Sequence, residues 1–537
     1  MNKKIIKRRV YMSNSRENWG TKLGLILAMA GNAIGLGNFW RFPYQVAKNG
    51  GGAFMLPYFA ALLLLGIPLM YVEWMQGRYG GKYGHGTVGC MTYLQAKEKV
   101  GHTTAAFLGA LMGMLVFAVT TLVNAYYTQI IGWTLGYSYL SLTGGYMDAA
   151  KSTGEVFVSY IQNPTMSIGF WALALAILAY ALARGVQKGI EAWAKTMMPL
   201  LYLFGLILII RALTLGSPVN PDWSPIKGLD YLWSPKWSEL KWESALAAAG
   251  QIFFTLSLGM GIIQNYASYL KPDEDIVLSA TTTVFLNEFA EVILGGTIAI
   301  PIAFTFLGPE GIASGVGLSF IALPNVFRMM PGGQFFGAFW FLVLFFAGFT
   351  SAIAMYNYLI TILEEDLNVP RKLAAGLVFG FYILVGLPSA LEPILTKTAD
   401  LAFLTELDNW VGSYFLVVVG LIEAVVVGWL FGEKKTLEEL NAGSYWKLPA
   451  AFFNVMIKYV TPISIMVLLI FSTKSYIESG YFRWVPSFVE GTPVLIPWVQ
   501  GARLLLFGIL ILGFVEAYYT IQRKYGKGAQ VQKSMNA

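Results

Sequence analysis

Residues 31–38 read GNAIGLGN and lie near the middle of an apolar stretch that extends from about residue 20 to 48. A second run, FTLSLGMG at residues 254–261, interrupts another apolar stretch at about 244–270. Glycine is a poor helix former, and irregular backbone at membrane depth is tolerated only where it is buried in protein or lines a polar cavity. The two runs therefore predict two broken membrane helices that line one cavity. The alternative is that these glycines only let neighbouring helices pack closely.

The rest of the chain is also too apolar for a soluble protein. Of its 537 residues, 56% are hydrophobic and only 12% are charged, a composition that requires a membrane as solvent. About 20 apolar residues suffice for a helix to cross the hydrocarbon core. We find about twelve such stretches without a Ser-rich or Pro-rich linker between them, at residues 20–48, 52–80, 104–140, 166–184, 190–213, 244–270, 276–306, 334–365, 372–390, 398–430, 448–473 and 495–521.

The two glycine runs occupy corresponding positions if spans 1–5 and spans 6–10 form two structural repeats. Such paired interruptions indicate the midplane binding site of a secondary transporter. An enzyme is disfavoured, because the chain has two histidines, one cysteine and neither an HExxH nor a GxSxG motif. A nutrient sensor that binds its ligand without transporting it remains an alternative, although no appended signalling domain is visible.

The distribution of Lys and Arg predicts the orientation in the membrane. Five basic residues lie within residues 3–9, but the span that follows contains Asn32 and Asn38, so this is not a cleavable signal peptide. An even number of spans brings both termini to one side, together with the basic pairs at residues 371–372 and 434–435. This side should be cytoplasmic in a multi-pass protein of the cell inner (plasma) membrane. The net charge of +7 is interpreted as topology, and we expect no nucleic-acid partner.

Five motifs carry a resemblance to a known family. They are WGTKLGLILAMAGNAIGLGNFWRFP from residue 19, NGGGAFMLPY from 49, GQIFFTLSLGMG from 250, LNEFAEVILGG from 286 and LFFAGFTSAIA from 344. In these motifs the chain resembles the neurotransmitter:sodium symporters, and closely their bacterial leucine-transporter (LeuT)-like branch. The resemblance extends from Trp19 to about the twelfth span.

The resemblance implies an all-α integral membrane protein with about 12 transmembrane helices, a 5+5 inverted repeat and discontinuous helices 1 and 6. It implies sodium-driven uptake of amino acids or their derivatives by alternating access. The expected domains are a cytoplasmic N-terminal segment at 1–18, a transporter domain at 19–521 (repeats at about 19–213 and 244–430, extra helices at about 448–521), and a cytoplasmic tail at 522–537.

The resemblance also implies two sodium ions and no organic cofactor. The first sodium would be bound by the Ala33 carbonyl, Asn38, Thr255, Asn287 and the carboxylate of the substrate. Because substrate and ion would complete each other's site, their binding would be coupled.

The second sodium would be bound between spans 1 and 8. Its ligands, by resemblance, are the carbonyls of Gly31, Ile34 and Ala347 and the hydroxyls of Thr350 and Ser351. The alternative for both hydroxyls is a hydrogen bond to the carbonyl one helical turn earlier.

The substrate carboxylate should meet the N-terminus of the half-helix after the first break. The amides of Leu36 and Gly37 point there, and helix N-termini attract carboxylates. By resemblance, Tyr127 would donate its hydroxyl to the same carboxylate. Ala33 stands where monoamine-carrying relatives have an aspartate, which favours a substrate with its own carboxylate, an α-amino acid.

The remaining substrate contacts follow from the resemblance. The amino group would meet the carbonyls of Ala33, Phe254 and Thr255 and the hydroxyl of Ser257. Two methionines depart from the leucine-transporter pattern, where Met260 replaces a phenylalanine and Met355 an isoleucine. Methionine is flexible and polarizable, so we predict large hydrophobic or aromatic substrates. The side-chain pocket would comprise Val123, Tyr127, Phe254, Ser257, Met260, Ser351 and Met355.

Two gates are expected by resemblance. Arg41 and Asp408 match the external gate, where they could bridge through water. Arg16 matches the internal gate with Glu365 as its partner, one methylene longer than the family's aspartate, and with Asp366 able to compete. Tyr269 should brace this pair and Trp19 should pack beneath it. For an isolated charge near a helix end, the alternative is snorkelling to the interface.

Glu291 is the most informative acid within a span. Chloride-dependent relatives bind an anion beside the first sodium, whereas chloride-independent bacterial relatives resemble this chain in having a carboxylate there. The resemblance therefore predicts transport without chloride, with proton counter-movement on Glu291 left open. The alternative is a hydrogen-bonded buried acid near Tyr58 and Gln251. The expected partners are a small-molecule amino acid and membrane lipid, and an oligomer is left open.

Overall fold

The computed structural model describes residues 17–148, 150–308 and 317–526. These residues form helices and connecting loops, and the pairing of Gly51 with Pro235 is an isolated β-bridge between two of the loops. Arg16 lies outside the described residues, so the predicted internal-gate arginine has no structural account here.

Ten described helices are long and apolar enough to cross a membrane, and a bent pair adds an eleventh. We number the spans 1 to 12 in chain order, with spans 1 and 6 each in two halves. Span 6 completes the twelve predicted, because its halves Trp242–Thr255 and Ile262–Ala267 are each too short to cross alone. The others are Lys22–Ala33 with Gly37–Lys48, Gly52–Gly81, Val88–Thr143, Pro164–Leu182, Val186–Leu213, Ile276–Leu307, Gly333–Asp366, Arg371–Thr396, Ala402–Phe431, Ala450–Glu478 and Ile496–Tyr525.

Span 3 differs most from its predicted bounds. The helix begins at Val88, well before the predicted residue 104, and Gly101 interrupts it with φ 78° and ψ 172°. Residues 88–100 thus form a separate, more polar helix that precedes the membrane-crossing part. A search for apolar stretches could not find it, because it carries Gln95, Lys97 and Glu98.

The break in span 1 bends the helix by 50°. Ile34 leaves the helical region with φ −73° and ψ 103°. The amides freed by the break are bonded to side chains: Gly35 N–H donates to Asn38 Oδ1 at 2.8 Å, and Leu36 N–H donates to the Tyr127 hydroxyl at 2.8 Å. Span 3 therefore supports the broken backbone of span 1.

The break in span 6 depends on left-handed backbone at Ser257, Gly259 and Gly261, with φ between 56° and 75°. A Cβ on Gly261 would lie 2.2 Å from Val116 Cγ1, so the tight approach to span 3 requires glycine. The Gly259 amide donates to Glu73 Oε1 of span 2 at 2.8 Å. Side chains of neighbouring spans thus replace the missing helical hydrogen bonds.

The two broken spans lie in the middle of the bundle, against spans 3 and 8. Span 8 is the most enclosed, with 83% of its most apolar window buried, whereas span 11 has only 28%. A polar site in the broken spans is therefore separated from lipid by protein on all sides, as irregular backbone in a membrane requires. Both ends of the described chain lie on one face, which we call the termini face; the other is the opposite face.

Candidate functional site

A small enclosed cavity lies between the two breaks. Its volume is about 20 Å³, room for about one water molecule. All seven residues predicted for the side-chain pocket line it, as do Ala33, Gly37 and Thr255, which were also predicted for the substrate. The full lining is Ala33, Gly35, Gly37, Asn38, Val123, Tyr127, Phe254, Thr255, Ser257, Met260, Ser351 and Met355.

The cavity has a polar end and an apolar end. The Tyr127 hydroxyl, which accepts from Leu36 N–H, and the half-helix N-terminus form the polar end. Leu36, which was also predicted for the substrate, is not among the lining residues and contributes only its backbone amide. Gly35 was missed as a lining residue, although it is the central glycine of the first run. A Cβ there would lie 2.6 Å from the Tyr127 oxygen, so glycine permits the approach of the two spans.

The first predicted sodium site is brought together around Asn287. One end of its side-chain amide lies 2.9 Å from Asn38 Nδ2, 3.3 Å from the Ala33 carbonyl oxygen and 3.2 Å from the Thr255 carbonyl oxygen. With the amide oxygen at this end, it converges with the Ala33 and Thr255 carbonyl oxygens, which suits a hard cation. Asn38 then donates to it from Nδ2 and turns its own oxygen to the Gly35 amide. With the nitrogen there, the same amide hydrogen-bonds to both carbonyls. The site therefore suits sodium when the Asn287 amide oxygen faces the carbonyls. When the nitrogen faces them, the carbonyls are satisfied by hydrogen bonds from Asn287.

The second predicted sodium site is brought together around Ser351. Its hydroxyl oxygen lies 3.3 Å from the carbonyl oxygens of Gly31, Ile34 and Ala347 and 3.0 Å from that of Asn32. A hydroxyl has a single proton. The Asn32 carbonyl also accepts from the Ser257 hydroxyl at 3.0 Å, and the Ala347 carbonyl lies 3.2 Å from Thr350 Oγ1, so the carbonyls of Gly31 and Ile34 are those that another positive group could bind. Oxygen-only coordination suits sodium, and within the described residues no cluster of three His, Cys, Asp or Glu side chains could hold another metal.

The Thr350 hydroxyl makes the hydrogen bond that the alternative interpretation predicts, to a carbonyl one helical turn earlier. Its Oγ1 donates back along span 8 to the Phe346 carbonyl at 2.8 Å and lies 3.2 Å from the Ala347 carbonyl. This hydrogen bond uses the hydroxyl proton and leaves the oxygen lone pairs available. The geometry is therefore compatible with both roles.

Two buried acids lie beside the first site. Gln251 donates to Glu291 Oε1 at 2.8 Å, and the Thr255 hydroxyl donates to its other carboxylate oxygen. Tyr58 lies near Glu291, as expected, and interacts with it, but its closest contact is with Glu288, to whose Oε2 it donates at 2.7 Å. Thr255 therefore connects the first sodium site directly to the Glu291 carboxylate.

The external-gate residues lie above the cavity but do not touch each other. The Arg41 guanidinium lies 4.4 Å from the centre of the Phe254 ring. Asp408 accepts from the Tyr126 hydroxyl at 2.6 Å. The ion pairs within 4.0 Å among the described residues do not include one between Arg41 and Asp408, so their bridging through water stays a prediction.

At the termini face, the two candidate acids have different partners. Glu365 Oε2 accepts from the Gly86 amide at 2.6 Å. Asp366 forms an ion pair of 2.6 Å with Lys524 at the end of span 12. We expected that Asp366 could compete with Glu365 for Arg16. Its ion pair with Lys524, a residue that the family resemblance did not indicate, works against this competition.

Tyr269 and Trp19 pack close to this region. The Tyr269 hydroxyl lies 3.1 Å from Thr361 Oγ1 and accepts from Asn357 Nδ2 at 3.3 Å. Trp19 is buried, packs edge-on against Tyr269 at 6.4 Å between ring centres, and donates its indole N–H to the Tyr266 carbonyl at 3.0 Å. The segment before span 1 therefore closes the termini face under the second half of span 6.

Glu191 on span 5 is a contact that sequence reasoning missed. Its carboxylate accepts from the Gly20 amide and the Thr21 hydroxyl, each at 2.7 Å, and forms an ion pair with Lys195 at 2.6 Å. A Cβ on Gly24 would lie 2.1 Å from Glu191 Oε1. The start of span 1 is thus fastened to the start of span 5, through a pair of residues about 170 positions apart that no local pattern reveals.

Comparison with known proteins identifies related transporters. An uncharacterised sodium-dependent transporter of Methanocaldococcus jannaschii is 32% identical over 509 residues, which cover 91% of this chain and 97% of that protein. One of Bacillus subtilis is also 32% identical, over 84% of this chain and 96% of its own length. The crystal structure of MhsT in complex with L-phenylalanine matches with a TM-score of 0.73 and 31% identity, covering 85% of this chain and all of MhsT.

The relatives also include the sodium-dependent serotonin transporter of Drosophila melanogaster, 26% identical over 86% of this chain and 77% of that protein. The protein is a multi-pass integral membrane protein and a secondary transporter rather than an enzyme, and its fold is LeuT-like. Because residues 16–153 and 160–522 match the sequence model of the sodium:neurotransmitter symporter family, the chain belongs to this family of sodium-coupled transporters.

Proposed function

We propose that the protein imports large hydrophobic or aromatic L-α-amino acids together with two sodium ions and without chloride. The observation that carries the proposal is the division of the central cavity. Its polar end has the helix N-terminus and Tyr127 for a carboxylate, and its other end is apolar and uncharged, lined by Val123, Phe254, Met260 and Met355. A ligand with α-carboxylate and apolar side chain complements both ends.

Ala33 supports a substrate with its own carboxylate. No acidic side chain lines the cavity, so a substrate carboxylate would be the only charged group among the predicted direct ligands of the first sodium. An α-carboxylate bound at Leu36, Gly37 and Tyr127 would lie next to Asn38 and Thr255 and would supply this charge. Sodium and substrate would then stabilise each other by the same free energy in both directions.

The volume of the cavity bears on substrate size. At about 20 Å³ it must expand before an amino acid can enter, so the closed side chains have to move. Met260 and Met355 are unbranched at the β and γ carbons and can change rotamer at low cost. The complex of MhsT with L-phenylalanine supports an aromatic substrate for a protein of this fold.

Glu291 supports chloride independence. Its carboxylate, joined to the first site through Thr255, would provide the negative charge that an anion provides elsewhere. We further propose that the termini face is cytoplasmic in the inner membrane, as the Lys and Arg distribution predicts. Alternating access would then open the Arg41–Asp408 gate on one side and the region of Glu365, Tyr269 and Trp19 on the other.

Equilibrium binding to the purified protein tests the substrate and the ions. We expect radiolabelled leucine and tryptophan to bind in sodium but not in potassium, and equally well with chloride or gluconate. Tryptamine, which lacks only the carboxylate of tryptophan, is the matched competitor and should not compete. If tryptamine or glycine displaced leucine better than tryptophan, the proposed substrate class would be wrong.

Transport itself is tested in proteoliposomes. A symporter accumulates leucine above the external concentration when sodium is higher outside, and loses this accumulation when sodium is equal on both sides. Sodium-dependent binding without any accumulation would instead identify a sensor.

A further inference from the structure

Lys458 is a charged residue well inside a membrane span. It is the ninth residue of span 11, Ala450–Glu478, which places its Cα about 12 Å along the helix from the start. Within the described residues, no carboxylate lies within 4.0 Å of its ammonium group. A charge at such depth is expensive and indicates a functional partner.

Two aromatic rings hold the Lys458 side chain in place. Its Nζ lies 5.2 Å from the centre of the Trp429 ring and 5.5 Å from that of Tyr459, distances at which a cation is attracted to an aromatic face. Trp429 lies two residues before the end of span 10, on the termini face. The ammonium group is therefore drawn back to the membrane interface, as snorkelling lysines are.

A second ammonium group approaches the same tryptophan from another helix. Lys99, on the short helix before the crossing part of span 3, donates from Nζ to the Trp429 carbonyl at 2.7 Å. The Trp429 indole in turn donates to the Lys458 carbonyl at 3.2 Å. Lys99 also has no carboxylate within 4.0 Å among the described residues, so two uncompensated cations converge on Trp429.

Two acids lie in this region of the termini face. Glu98 forms an ion pair with Lys435, whereas Glu433 accepts from the neutral amide of Asn454 at 2.7 Å and so offsets one of the positive charges. Lys97 adds a further positive charge, over the ring of Tyr93. The region as a whole keeps a positive excess at the level where lipid phosphates lie.

The surface is open to lipid and offers a path for an acyl chain. Trp429 and Tyr459 are each 45% exposed, and Val455, Ile463 and Ile470 form an exposed apolar strip along span 11. Trp and Tyr are typical of the membrane interface, and basic residues between helices recognise anionic headgroups. We propose that Lys458 and Lys99, held by Trp429 and Tyr459, bind the phosphate of an anionic phospholipid whose chain lies along span 11.

Counting lipids that remain on the purified protein tests this site. Native mass spectrometry in mixtures of phosphatidylglycerol and phosphatidylcholine should show preferential retention of phosphatidylglycerol. Lys458→Gln and Lys99→Gln should each weaken retention about fivefold, and both together about 25-fold, as expected for one interfacial charge each. Lys458→Arg, which keeps the charge, should retain the lipid within about twofold.

Lys474→Gln is the matched control, because Lys474 lies on the same span at the opposite face and is paired with Glu478. The proposal is wrong if Lys474→Gln weakens retention as much as Lys458→Gln, or if both lipids are retained equally. It is also wrong if soluble glycerol phosphate displaces the lipid at equal concentration, since the site would then bind free phosphate. The thermal unfolding temperature of each variant should be unchanged, which would show that a loss of bound lipid is not caused by unfolding.

Discussion

The two candidate sodium sites are built differently, although span 1 contributes to both. The site around Asn287 uses two side-chain amides and lies next to a carboxylate, Glu291, with Thr255 shared between them. The site around Ser351 consists of backbone carbonyls and one hydroxyl, and span 8 supplies its other half. A side-chain site can be altered residue by residue, whereas a backbone site depends mainly on how two helices are positioned.

This difference assigns separate tasks to the two ions in our proposal. Binding of the first ion would depend on whether a substrate carboxylate is present, because Ala33, Asn38 and Thr255 line both the site and the cavity. Binding of the second ion would depend on whether spans 1 and 8 are in contact. Substitutions should therefore affect the first site strongly and the second site weakly.

The largest effect is expected from Asn287→Ala. The variant removes the amide that contacts Ala33, Asn38 and Thr255, and losing a hydrogen bond or ligand to a charged group costs about 1.5–3 kcal/mol. The sodium concentration for half-maximal leucine binding should rise roughly 10- to 100-fold, measured by titrating sodium into purified protein. Asn325→Ala, on the short helix Leu323–Met329 between spans 7 and 8, is the control, and an unchanged sodium requirement in Asn287→Ala would contradict the first site.

Glu291→Ser should make binding depend on chloride. Without the carboxylate, a separate anion is needed beside the sodium, and opposite charges a few ångströms apart attract strongly. Leucine binding in chloride should exceed that in gluconate roughly tenfold, whereas the wild type should not distinguish the two. Glu288→Ser, which changes the neighbouring acid bonded to Tyr58, should stay indifferent to chloride; if both variants responded alike, Glu291 would have no special role.

Thr350→Val separates the two roles of this hydroxyl at the second site. Valine has nearly the same shape, so only the hydroxyl is lost. As a sodium ligand, its loss should raise the sodium requirement about tenfold; a hydroxyl that only bonds to Phe346 should change it by less than about twofold. Thr305→Val is the control, since Thr305 makes the same kind of bond, to the Pro301 carbonyl at 2.7 Å, in span 7.

The smallest effect is expected from substitutions in the side-chain pocket, which should change substrate preference. Replacing Met260 by Phe and Met355 by Ile restores the leucine-transporter pattern and changes shape more than volume. Such exchanges usually cost less than about 1.5 kcal/mol, so the preference for tryptophan over leucine should fall about three- to tenfold. Competition binding with both amino acids measures it, and the lipid-facing Met466→Phe should leave the ratio unchanged.

The breaks could be predicted because their signals are local, since glycine and asparagine in the middle of an apolar stretch have few structural explanations. The lining residues outside the two runs, such as Val123, Tyr127 and Met355, were predicted only from the family resemblance. The helix at residues 88–100 escaped prediction because its polar composition hides it from a search for apolar spans.

Contacts between distant residues could not be predicted in the same way. Glu73 caps the amide of Gly259 across 186 positions, and Lys524 holds Asp366 across 158. Each pair is set by the packing of whole helices, and neither residue shows its partner in its own sequence neighbourhood. The same is true of Lys458 and Trp429, whose meeting depends on the close packing of spans 10 and 11 at Gly428.

The hydrogen bonds that hold the segment before span 1 have a consequence for how often the termini face opens. Releasing this segment would break the hydrogen bonds from Trp19 to Tyr266, from Gly20 and Thr21 to Glu191, and from Gln187 to Asn18. At about 0.5–1.5 kcal/mol each, the four bonds together would add about 2–6 kcal/mol to the free energy of opening at the termini face. Variants that lack these bonds should therefore open on that side more often than the wild type.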